Sequence, residues 1–95
     1  MTQLTTEQLA EVLIGVARAQ QVLVDAIESF KPGFKTTHLA PLLHTAAKTR
    51  NTGYLPGLSD LPARVLVSCQ TRTGPDAASV ERDLNEILER TRKLG

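Results

Sequence analysis

Apolar residues recur at helical spacing from Leu9 to Phe30, the longest uninterrupted run of that pattern in the chain. Leu9, Leu13, Val16, Gln20, Leu23, Ile27 and Phe30 follow one another at steps of four and three, the repeat of a heptad seam. Ala10, Ala17 and Val24 flank that seam on one side, and Val12, Ala19 and Ala26 flank it on the other. Only the far side is consistently polar, with Glu11, Arg18 and Asp25, and Glu7, Gln21 and Glu28 beside them. The apolar surface thus spans about half the helix circumference, wider than the roughly 100° stripe of a helix lying on one core. A helix of this kind is buried from two directions, and in so small a chain one of the two can be a second copy.

The rest of the chain reads as further helices, giving an all-α, four-helix single domain over 1–95 with helices at about 5–31, 37–50, 60–71 and 74–94. Thr5 with Gln8 forms a capping-box pattern at the first start, and Lys31-Pro32-Gly33 ends that helix. Thr36 or Thr37 can cap the second helix, whose inward face reads Leu39, Leu42, Leu43, Ala46 and Ala47. A loop follows from Asn51 to Ser59, pinned by Tyr54, Leu55 and Leu58. The segment from Leu61 to Thr71 has strand-forming Val65, Leu66 and Val67, but no second strand-like stretch exists to satisfy its backbone. Ser59 or Asp60 as cap and Pro62 in the first turn favour a helix there. Thr73 or Gly74 can cap the last helix, with Pro75 at its first position and a narrow stripe through Ala77, Val80, Leu84, Ile87, Leu88, Thr91 and Leu94. Glu86 with Arg90 and Glu89 with Lys93 are favourable pairs along it.

The first helix also has approximate internal symmetry. Leu9 matches Phe30, Leu13 matches Ile27 and Val16 matches Leu23 about Gln20. Two such helices laid antiparallel would meet around a two-fold axis near Gln20, where a polar seam residue fixes register at some cost in stability. The sequence therefore predicts a coiled-coil-like homodimer interface through Leu9, Leu13, Val16, Gln20, Leu23, Ile27 and Phe30 in a dimeric helical bundle. Coverage of both faces within one chain is the alternative.

Charge adds a second candidate surface. The net charge of +1 hides a division. Residues 31–74 hold six bases against Asp60 alone, whereas 1–30 and 75–95 are each acidic on balance. The basic middle either docks on its acidic neighbours or meets an anionic partner, an acidic protein or, as the alternative function, a nucleic acid. Lys35, Lys48, Arg50, Arg64 and Arg72, with Tyr54 as an anchor, are the candidate partner-binding residues.

Little in the chain points to chemistry. His38 and His44 lie six apart, on different faces of a helix, so one helix cannot offer both to a metal. Cys69 stands alone and suits a reducing compartment as a small buried hydrophobe. The opening residues lack the basic start and apolar run of a secretory signal, and charged residues interrupt Leu9–Phe30, so a cytoplasmic protein without a membrane span is expected. No cofactor, metal or catalytic residue is expected. The reading is a small non-enzymatic protein acting by protein–protein interaction, as adaptor, inhibitor or assembly subunit.

Overall fold

The computed structural model describes residues 4–94, with side chains placed to residue 92. Four helices form, and no strand occurs among the described residues: α1 Thr6–Phe30, α2 Ala40–Ala47, α3 Leu61–Cys69 and α4 Ala77–Leu94. The Leu61–Thr71 segment is thus helical through Cys69, two residues short of the expected end, as the lack of a pairing strand requires.

α1 begins where its capping box places it. The Thr5 hydroxyl accepts from the Gln8 backbone, and the Gln8 side chain accepts from the Thr5 backbone, both at 3.0 Å. At the other end the chain reverses through Lys31-Pro32-Gly33, with Gly33 at φ +92°. The following turn departs from expectation. Neither Thr36 nor Thr37 caps a helix; the backbone is already helical at Phe34 and passes through a widened π turn, Lys35–Leu39, closed by the Ala40 N–H on the Lys35 carbonyl. Pro41 then sits in the first turn of α2, immediately after the widened π turn.

α2 stops at Ala47, three residues earlier than the sequence suggests, because Lys48 adopts the left-handed conformation at φ +57°. Its N–H bonds the Thr45 carbonyl at 3.2 Å and the Thr49 N–H bonds the His44 carbonyl at 3.3 Å, the paired closure usually given to glycine. A single 3-10 turn, Leu58–Asp60, leads into α3. α4 starts at Ala77, three residues after Gly74: Gly74 lies at φ +74° in the preceding loop, and Asp76, just before the helix, accepts from the Ser79 hydroxyl at 3.0 Å and, through its carbonyl, from the Val80 N–H at 3.1 Å.

α1 packs against both α3 and α4, and α3 packs in turn against α2. The shared core draws Ala10, Ile14 and Ala17 from α1, Leu43 from α2, Leu61, Val65 and Leu66 from α3, and Val80, Leu84 and Ile87 from α4. α3 and α4 both lie against the same side of α1 and meet each other less closely than either meets α1, and the molecule is flat, 45 × 33 × 21 Å. Its radius of gyration, 14.6 Å, exceeds the roughly 12.4 Å expected of a close-packed chain of this length. Several residues expected inward lie outward: Leu42, at 73% exposure, with Ala46, Leu55, Ala77 and Thr91. Leu94 and the Glu89–Lys93 pair fall outside the described side chains. Arg90 bonds the Pro56 carbonyl, and Glu89 pairs with Arg92 at 3.7 Å.

Leu84, only 1% exposed, fills the space between α1 and α4. Leu84→Ala is expected to lower the unfolding free energy by about 3 kcal/mol. Leu42→Ala should change it by less than about 0.5 kcal/mol, since Leu42 covers nothing within the chain. Urea titrations of both variants check the contrast.

Candidate functional site

The distribution of burial along α1 defines the first candidate surface. Ala10, Ile14, Ala17 and Val24 are buried, and Leu9, Leu13 and Gln21 are half-buried beside them. This face is narrow in side-chain volume, which lets α3 and α4 come close. The other apolar face is open: Val12, Val16, Ala19, Leu23, Ala26, Ile27 and Phe30 are all exposed, Leu23 at 66% and Phe30 at 92%. Of the residues expected to form one seam, Leu9 and Leu13 thus lie partly against the chain's own core. Val16, Gln20, Leu23, Ile27 and Phe30 face outward. Gly15 also has open space where a β-carbon would point, so no helix of this chain uses it for close approach.

α1 is held in this pose by polar ties along its opposite edge. Glu28 accepts from the backbone N–H groups of Gly33 at 2.7 Å and Lys35 at 2.8 Å. Those bonds, the Lys35 one first, hold the Glu28 carboxyl below its ordinary range. Asp25 pairs with Lys35 at 2.7 Å and accepts from Gln21 at 3.0 Å, and its carboxyl is lowered by these two partners in that order. Gln21 accepts in turn from Gln70 of α3, whose amide also donates to the Leu66 carbonyl at 2.9 Å. One relay therefore links α3, α1 and the π turn.

The basic middle forms a second feature, built around its single acid. Asp60 is 6% exposed. Its Oδ2 accepts from the Tyr54 hydroxyl at 2.5 Å and from the Gly57 N–H at 2.9 Å, and its Oδ1 lies 3.5 Å from Lys48 Nζ. Lys48 also donates to Tyr54 Oη at 3.1 Å and lies over the Tyr54 ring at 4.9 Å. Tyr54, then Gly57, depress the Asp60 carboxyl, and Tyr54, then Asp60, raise the Lys48 ammonium. Arg64 closes the knot from α3, donating to the carbonyls of Ala47 at 2.9 Å and Lys48 at 3.2 Å at the negative end of α2.

The six candidate partner-binding residues are therefore not one surface. Lys48, Tyr54 and Arg64 come together but point their polar atoms at the chain itself, and Lys35 is paired to Asp25. Arg50 and Arg72 are exposed and form no ion pair among the described residues. The isolation of Asp60 among bases was visible in the sequence, and so was Glu28 one turn before Pro32-Gly33. The Gln21–Gln70 tie had no such signal, because nothing in spacing relates residues so far apart.

His44 Nδ1 lies 2.7 Å from the Thr49 hydroxyl, and His38 tilts against Phe34 with ring centroids 6.1 Å apart. Cys69 is half-buried, and that burial raises its thiol above the ordinary range, disfavouring the thiolate. A cleft of about 240 Å³ between α3 and α4 is lined by Arg64, Ser68, Asp76 and Asp83 among others; it is the gap left where both helices turn to α1. No helix among the described residues is long and apolar enough to cross a membrane. No protein family, curated protein or solved structure matches the chain.

The Asp60 knot makes stability depend on pH with a definite sign. A carboxyl lowered on folding stabilises above its unfolded value, about 3.9, and loses that contribution as pH falls through the lower folded value. Tyr54→Phe removes the principal cause of the lowering at Asp60, so the variant should be less stable at neutral pH and lose less on acidification. Urea midpoints of both proteins from about pH 7 to 2 should converge at the acid end.

Proposed function

We propose that this is a small non-enzymatic helical protein that acts by protein–protein interaction through the open face of α1, and that self-association is its first use. The supporting observation is the exposed row on that helix, ending in Phe30 at 92% exposure. A soluble chain that leaves aliphatic and aromatic side chains in one contiguous row forgoes hydrophobic stabilisation of about 25 cal/mol per Å², and such rows mark association surfaces. The flat shape supports the same reading, since among the described residues no other helix returns to cover that side. The basic middle offers less: Lys35, Lys48 and Arg64 are already engaged within the chain.

Light scattering of the purified protein should give the mass of a dimer. Leu23→Glu should give a monomer with unchanged helical circular dichroism, because Leu23 is 66% exposed and supports nothing within its own chain. A monomeric wild type would refute self-association, and loss of fold in Leu23→Glu would show that the side chain is structural.

A further inference from the structure

We infer that the occupant of the open face is α1 of a second copy of this chain, running antiparallel and centred on position 21. The inference rests on reading that face as a self-association surface, and adds the direction and register.

Among the outward residues, Val12, Val16, Ala19, Leu23, Ala26 and Phe30 fall on one line that again advances by steps of four and three, with exposed Val22 and Ile27 to its sides. It is displaced by one helical position from the seam expected through Leu13, Gln20 and Ile27, because Leu13 packs on the core. About position 21 this row is complementary to itself. Laid antiparallel, Val12 is level with the partner's Phe30, Val16 with the partner's Ala26, and Ala19 with the partner's Leu23. The four central layers each join a small residue to a larger one, so two straight helices keep one separation along their length. A parallel, in-register pair would stack alanine on alanine and leucine on leucine in alternate layers, giving voids beside bulges, which close packing disfavours.

Charge gives the same centre independently. Glu11 lies near the start of α1 and Lys31 follows its last residue; both are exposed. In the antiparallel register Glu11 is level with the partner's Lys31. That sets an acid level with a base near each end of the pair, whereas parallel pairing sets Glu11 level with Glu11 and Lys31 level with Lys31. The two helix dipoles also oppose one another in the antiparallel arrangement.

The test is disulfide trapping in the full chain with Cys69→Ser. Val16→Cys and Ala26→Cys are made separately; both positions are exposed, so folding is preserved. In the proposed register each new cysteine is about 15 Å along the axis from its own copy, beyond disulfide reach. Each variant oxidised alone should stay largely uncrosslinked, and an equimolar mixture should give a covalent dimer several-fold more efficiently. Efficient crosslinking of each variant alone would overturn the antiparallel register. So would an absence of crosslinks, alone and mixed, in a protein that light scattering shows to be dimeric; in both cases self-association would stand. A monomeric wild type would overturn both readings. As a second measurement, Glu11→Lys should weaken dimerisation several-fold at low salt, and adding Lys31→Glu should restore it. Failure of the double variant to recover would remove the charge argument and the register with it.

Discussion

The close approach of two helices to one side of α1 is the constraint on which the rest of the structure depends. Ala10 and Ala17 are fully buried there and present almost no side chain, so α3 and α4 can both lie against the same stretch of helix. With both on that side, α2 reaches the core only through α3, and the opposite side of α1 has no cover. Ala10, Ala17, Ile14 and Val24, with half-buried Leu9 and Leu13, lie inside, while Val12, Val16, Leu23, Ile27 and Phe30 lie outside with Ala19 and Ala26. Hydrophobicity explains why both faces avoid water, but side-chain volume decides which face the chain keeps for itself.

That distinction marks what could be read from the sequence. The four helices were legible because each has helical periodicity and strong stops: Pro32-Gly33, Pro56-Gly57 and Gly74-Pro75. The width of the α1 stripe, and hence burial from two directions, was legible for the same reason. Which half faces the core was not, since Ala10, Ala17 and Val24 match Val12, Ala19 and Ala26 closely in polarity. The boundaries that shifted did so where a non-local or unusual backbone state intervenes. Lys48 ends α2 in a conformation costing about 1–2 kcal/mol for a non-glycine residue, offset by the bonds it makes to Tyr54 and Asp60. Composition alone gives no reason to expect a lysine there.

The polar ties share a pattern. Glu28, Asp25 and Asp60 each bind groups on a different element or turn, and each lies away from the open face of α1. They orient the helices, whereas the apolar core contributes most of the stabilisation. The basic middle segment, which in the sequence resembled a surface awaiting an anion, is in large part the counter-charge for these acids. Lys35, Lys48 and Arg64 hold the turns around α2 in place, whereas Lys31, Arg50 and Arg72 form no ion pair among the described residues.

The Glu28 contact has a further consequence, one of timing. Its partners, Gly33 and Lys35, follow within seven residues, so the reversal after α1 closes by local contacts alone. The contacts of α1 with α3 and α4 span far longer stretches of chain and carry a larger entropic cost of closure. During synthesis, therefore, α1 and its hairpin are complete while both apolar faces are still bare, the inner one awaiting residues not yet made. In that interval the exposed apolar surface of α1 is at its largest, the condition in which partly folded chains are most prone to aggregate.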